Sequence, residues 1–217
     1  MLRIRLDAAV FPFLVDIPLR DKSPRIHIDN KLNKTGIANS ISCLLYTSLK
    51  GQEKIGIVGD NGCGKSTLLH YLYQKLSQKT DLTIGYMPQR YDAILPVELS
   101  PIAFLSKTGD KSEREVISSH LANLNFSHDE MNHAISDLSG GQKGKLLLLH
   151  LVLENPQLLI LDEPTRNFSP TSQPQVRQLF ENYPGAILTV SHDVNYLRQV
   201  CQKIYRLDSQ GLEEVEI

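Results

Sequence analysis

Short apolar runs alternating with stretches of helical spacing organise the chain beyond residue 53. Lys54-Ile55-Gly56-Ile57-Val58, Thr83 to Met87, Leu158 to Leu161, Ala186 to Val190 and Ile204 to Leu207 each have the length and composition of a buried strand. Between them, Leu68, Leu69, Leu72, Tyr73 and Leu76 recur at helical spacing, and helices are expected over 143–153, 175–182 and 195–202. This alternation predicts an α/β fold with a mostly parallel sheet. From about Tyr91 to Leu138 the pattern changes to helical signals alone. Ser112-Glu113-Arg114-Glu115 and Ser127-His128-Asp129-Glu130 read as capping boxes. Val116, Ile117, His120, Leu121 and Leu124 could share one helical face. Pro170 and Pro174 frame a short loop.

Composition narrows the classes. With 217 residues, 41% hydrophobic and 22% charged, the chain suits one substantial globular domain. A net charge of −1 offers no global attraction to nucleic acid, so any RNA contact would need a local patch. Lys143 and Lys145 make a small one, but their position favours a solvated helix start instead. The three cysteines are too dispersed for a metal set or a disulfide framework, which fits a reducing cytoplasm. No run approaches the roughly 20 apolar residues of a membrane helix. Ala8 to Ile17 is apolar but broken by Pro12 and Asp16, with no clear cleavage site.

Candidate chemistry begins at Gly59-Asp60-Asn61-Gly62-Cys63-Gly64-Lys65-Ser66-Thr67, which matches G-x-x-x-x-G-K-[ST] between a strand and a helix. Glycines let backbone N–H groups approach phosphates closely, and the helix start adds positive potential. Gly59, Asn61, Gly62, Cys63, Gly64, Lys65, Ser66 and Thr67 are therefore candidate nucleotide contacts. In such a loop Lys65 reaches the outer phosphates and Ser66 offers its hydroxyl to Mg²⁺. Cys63 contributes its backbone N–H. Asp162-Glu163 ends an apolar strand, where ligands bind in open α/β sheets. Two acids there could instead be a solvated strand end. Their burial context favours Asp162 in a Mg²⁺ shell and Glu163 as the base that polarises a water.

Further motifs follow in order: Tyr86-Met87-Pro88-Gln89, Leu138-Ser139-Gly140-Gly141-Gln142, Leu158 to Thr165, and Ser191-His192-Asp193. With the phosphate loop, these resemble the Q-loop, signature, Walker B and switch histidine of the nucleotide-binding domain of ABC ATPases, over about residues 50–217. Within that family, Gln142-Lys143 and Asp162-Glu163-Pro164-Thr165-Arg166-Asn167-Phe168-Ser169-Pro170 look most like a C-terminal domain of the ribosome-associated, antibiotic-resistance type, ABC-F. The resemblance implies a P-loop NTPase core with an inserted helical subdomain at about 91–141. It implies ATP and Mg²⁺ as cofactors, with Lys65, Gln89, Glu163 and His192 catalytic and Ser66, Gln89 and Asp162 around the metal. Gln89 and His192 rest on the resemblance alone. It further implies that Ser139, Gly140, Gly141 and Gln142 cap a nucleotide held by a second ABC domain, whether another copy or a tandem half. Ser139 also suits a helix N-cap, and both roles can hold together. The expected activity is Mg²⁺-dependent ATP hydrolysis acting on the ribosome and translation. The alternatives are the ATPase subunit of a membrane transporter, partnered by a permease, or a truncated fragment that binds without turnover.

The first 48 residues fit poorly. The family's β-subdomain carries an adenine-stacking aromatic near the position of Gly36, yet Asp29 to Cys43 has none and Tyr46 lies too close to the loop. Base stacking is expected to weaken by about 1–3 kcal/mol. Cys43-Leu44-Leu45-Tyr46-Thr47-Ser48 is also what the DNA string TGTCTCTTATACACATCT encodes, the mosaic end of a transposon used to prepare sequencing libraries. Residues 1–48 thus read either as an artificial join to a domain spanning 49–217 or as native chain with an ordinary apolar strand.

Overall fold

A computed structural model describes residues 25–26, 49–50, 52–78, 82–91, 94–209 and 211–216. The stretch lacking an aromatic, the adenine position near Gly36 and the segment 43–48 lie outside these. The described chain falls into two units, one of Arg90–Glu154 with Asn167–Val176, the other of the residues up to Gln89, Asn155–Arg166 and those from Arg177 onward.

In the second unit, strands β1 (Arg25–Ile26) and β2 (Leu49–Lys50) form a small antiparallel pair. The main sheet contains β3 (Lys54–Val58), β4 (Ile84–Met87), β5 (Leu158–Asp162), β6 (Ala186–Val190), β7 (Lys203–Leu207) and β8 (Leu212–Glu214). Its order is β4-β5-β6-β3-β7-β8, parallel throughout except for the β7–β8 pair. Every residue of β5 and β6 is buried, as an uninterrupted apolar run requires. Helix α1 (Lys65–Leu76) lays Leu68, Leu69, Leu72 and Leu76 on Ile55, Ile57, Ile160 and Leu188. Each such side chain contributes about 1.5–3 kcal/mol by leaving water. This core fixes the loop between β3 and α1 at the carboxyl ends of the strands.

The first unit is helical, with α2 (Pro101–Leu105), α3 (Lys111–Asn123), α4 (His128–Asn132) and α5 (Gly140–Glu154). The Ser127 capping box forms, with Glu130 and Ser127 satisfying each other's backbone N–H groups. The Ser112 box does not. Helix α3 starts earlier, at Lys111, and Glu113 turns backward to accept from the N–H groups of Lys107, Thr108 and Gly109 at 2.9–3.0 Å and from Ser106 Oγ at 2.6 Å. That many donors outcompete one local N-cap bond. The hydrogen bonds from Ser106, Lys107 and Thr108 hold the Glu113 carboxyl down at about 2. Val116, expected on the buried face of α3, is 56% exposed, while Ile117 and Leu121 are buried.

After this unit's helices, which include a short 3-10 turn at Ile135–Asp137, α6 (Gln173–Glu181) and α7 (Val194–Val200) complete the α-helices among the described residues. Gly56 permits α7 to lie on β3, since a Cβ there would stand 2.7 Å from Leu197 Cδ2.

Candidate nucleotide site

The β3–α1 loop is built around one lysine. Lys65, 7% exposed, donates Nζ to the carbonyls of Gly59 and Asp60, each at 2.7 Å, and so ties the loop's beginning to its end. At Gly59 (φ +150°) a Cβ would meet Leu207 O at 2.4 Å, so only glycine lets the loop run this close to β7. The Cys63 N–H turns into the loop, donating to Asp60 O at 3.3 Å. No side chain caps α1: its N-cap, Gly64, has none to offer. The N–H groups of the first turn are thus left to a ligand, and the helix dipole there favours an anion.

Two carboxylates approach from β5. Asp162 is 3% exposed, and its Oδ1 is buried without a hydrogen-bond partner among the described residues. Burial raises its pKa, opposed by a hydrogen bond from Ser66 and by the charges of Lys65 and Arg166. A desolvated carboxylate oxygen beside a serine hydroxyl, with Gln89 in the same cavity, fits an oxygen-liganded Mg²⁺. Glu163 follows with φ +54°, a left-handed conformation unusual for a glutamate. Its N–H donates to Val190 O at 2.9 Å, which carries the ladder one residue past the strand. Burial raises the Glu163 pKa, and the hydrogen bond from the His192 N–H to Oε2, at 3.4 Å, opposes this. His192 Nε2 stands 3.7 Å from Glu163 Oε1.

One cavity of about 600 Å³ gathers these groups. Asn61, Gly62, Gly64, Lys65, Ser66 and Thr67 line one part, Gln89, Asp162 and Glu163 another, with His192, Val190 and Arg166 completing it. Of the loop residues singled out in the sequence, Gly59 and Cys63 do not line it. Arg166 was not foreseen. Its N–H donates to Glu163 O at 3.1 Å, closing a turn that returns the chain toward the cavity. The signal was its place three residues after the second acid.

Ser139, Gly140, Gly141 and Gln142 lie in the other unit, where Ser139 and Gly140 are exposed. Ser139 and Gln142 form a reciprocal capping box, Ser139 N–H to Gln142 Oε1 at 2.9 Å and Gln142 N–H to Ser139 Oγ at 3.3 Å. Gln142 Nε2 also donates to Glu130 Oε1, joining the two capping boxes. Lys145 donates to Leu124 O at 3.1 Å, so its ammonium is tied into this unit.

A mostly parallel sheet with a phosphate-type loop and an acidic strand end around one cavity defines the P-loop nucleotide-binding class. The chain belongs to the ABC transporter family, whose model matches residues 45–166. It is 29% identical to ATP-binding cassette sub-family F member 3 of Mus musculus, over 82% of this chain and 26% of that protein. The zinc import ATP-binding protein ZnuC of Hydrogenovibrio crunogenus is 33% identical over 81% of this chain and 74% of its own length. A solved dimer of the ATP-binding cassette MJ0796 bound to ADP and Pi shares the fold, with a TM-score of 0.64 over 78% of this chain and 88% of that one, at 19% identity. The chain spans 22% to 34% of the length of the first curated relatives it matches. No helix among the described residues is long and apolar enough to cross a membrane.

Proposed function

We propose that this domain binds MgATP and hydrolyses it as an ABC-F-type unit acting with a second ABC domain on the ribosome. The observation that carries this reading is the convergence of Lys65, Ser66, Gln89, Asp162, Glu163 and His192 on one cavity at the carboxyl ends of the strands. The uncapped start of α1 supplies N–H donors to the phosphates, and Lys65 adds a positive charge. Ser66, Asp162 and Gln89 hold Mg²⁺, which when bound offsets the negative charge of the phosphates. Glu163 accepts the proton of the attacking water as its oxygen bonds to the terminal phosphorus and the bond to the ADP oxygen breaks. His192, beside Glu163, orients that water and the outermost phosphate. Ser139, Gly140, Gly141 and Gln142 present a helix start and exposed donors for the nucleotide of the partner domain.

Steady-state turnover of ATP with and without Mg²⁺ tests the chemistry. Glu163→Gln should lower turnover by about 10²–10⁴-fold, the contribution of a positioned general base. Equal, negligible turnover by the parent and this variant would exclude intrinsic hydrolysis and leave a fragment that binds without turning over. The similarity to sub-family F members supports the ribosomal reading. ZnuC, of whose length this chain covers most, supports a second: an ATPase subunit docked on a membrane permease. Co-sedimentation of the Glu163→Gln protein with ribosomes in ATP separates the two. Absence from the ribosomal pellet would favour the transporter subunit.

A further inference from the structure

Arg166 has no role in the chemistry above, yet it stands in the same cavity as the groups that do. Its backbone is held on two sides. The turn bond to Glu163 O fixes its distance from the acid, and the preceding Thr165, 2% exposed, donates to Asp193 at 3.2 Å. Its side chain, by contrast, is exposed, and among the described residues its guanidinium makes no hydrogen bond or ion pair. The other strong cation of the cavity, Lys65, is committed to two loop carbonyls at the start of α1. The guanidinium's charge is felt by Asp162 and Glu163, yet its five donors are not taken up in hydrogen bonds among the described residues, so they are open to a phosphate attacked by a water that Glu163 activates in this cavity. A guanidinium can grip two oxygens of a phosphate through parallel N–H bonds, which an ammonium cannot.

We infer that Arg166 is a specificity-determining residue that recognises the terminal phosphate of the nucleotide held by its own domain, so that the site distinguishes the triphosphate from the diphosphate. The inference rests on the nucleotide-binding reading. It gives the turn after Glu163 a purpose beyond delivering the acid, because the same turn brings the guanidinium to the phosphate that will leave. A residue serving only as counter-charge to Asp162 and Glu163 would instead act alike on both nucleotides.

The test uses the whole 217-residue chain carrying Glu163→Gln, so that ATP stays intact during the measurement. Calorimetric titration with MgATP and with MgADP gives two dissociation constants for this protein and for versions that also carry Arg166→Ala or Arg166→Lys. Arg166→Ala should weaken MgATP by roughly tenfold, the scale of a lost charge-assisted bond, while MgADP changes by less than about twofold. Arg166→Lys keeps the charge without the fork and should fall between. If the alanine protein does not fold, the lysine protein still reports the ratio of the two constants. A ratio unchanged in the variants overturns the inference and leaves nucleotide binding standing. If the parent protein binds neither nucleotide, the proposed function fails and this inference fails with it.

Discussion

Thr165 donates its hydroxyl to Asp193 Oδ2 across 3.2 Å, and this bond fastens the strand end that carries Glu163 to the strand end that carries His192. Asp193 is a hub. Its Oδ1 accepts the Tyr196 N–H at 3.1 Å, capping α7, while Arg177 Nη1 lies 3.7 Å from Oδ2. Its own N–H donates to Ser191 Oγ at 3.1 Å. The acid and the histidine are therefore tied together through their neighbours in the chain, Thr165 two residues after Glu163 and Asp193 next to His192.

Thr165→Val keeps the shape of the buried side chain and removes that bond. Asp193 retains its other partners, so the loss of stability should be about 1 kcal/mol, read by urea unfolding. If the bond positions Glu163 against His192, kcat for ATP should fall by roughly tenfold or more, because small misplacements of reacting groups are costly. A rise in KM with unchanged kcat would rule out the positioning role.

Lys65→Met removes both loop-closing bonds and the cavity's inner positive charge. The parent protein, given MgATP at about 100 times its dissociation constant, should gain roughly 2.7 kcal/mol of stability. The variant should gain almost none. Thermal unfolding with and without nucleotide measures the difference, and equal protection of the two proteins would remove Lys65 from the binding site.

What the sequence revealed divides along the range of the interactions involved. Five of the main sheet's six strands were legible because apolar runs of four or five residues have few other destinations, and the phosphate-type loop because its residues are contiguous. The three-residue β8, with two exposed glutamates, gave no such signal. Asp162 and Glu163 stood out for the same reason, two acids ending a buried run. The capping box of Ser127 and Glu130 is equally local and formed as expected. The Ser112 box failed because Glu113 found several donors in the preceding loop, a competition that spacing alone does not display. Thr165 and Asp193 meet across 28 positions of sequence, and nothing in either neighbourhood announces the other. The positive φ of Glu163 was likewise hidden, since glutamate gives no hint of a left-handed backbone.

Glu113 supplies the clearest pH dependence. Its folded-state pKa is depressed from the ordinary 4.5 to about 2 by hydrogen bonds that only the folded chain provides. The ionised carboxylate therefore stabilises the fold above 4.5, and this contribution is lost as pH falls through the window from 4.5 to about 2. The stability difference between the parent and Glu113→Gln should be constant near neutral pH and shrink across that window. Urea midpoints measured at several pH values read it directly. A difference that does not change with pH would mean the carboxylate's charge contributes nothing.

Gly59 and Gly62 belong to the same loop motif, and the motif gives no reason to rank them. Their surroundings do. At Gly62 (φ +83°) a Cβ would meet nothing within 4 Å, so alanine incurs only the cost of a left-handed backbone, about 1–2 kcal/mol. At Gly59 the new carbon would lie 2.4 Å from the backbone oxygen of Leu207, and a backbone oxygen in a strand paired with β8 cannot swing aside as a side chain can. Relieving that clash means displacing the loop from β7, which would also move the Gly59 carbonyl that Lys65 holds at 2.7 Å. Gly59→Ala should therefore be the more destabilising by several kcal/mol, about 4 or more in total, or should fail to fold. Gly62→Ala should yield soluble protein with a modest drop in melting temperature. Chemical unfolding of both proteins under one set of conditions decides the order, and equal losses would show that the approach of the loop to β7 is not a constraint on position 59.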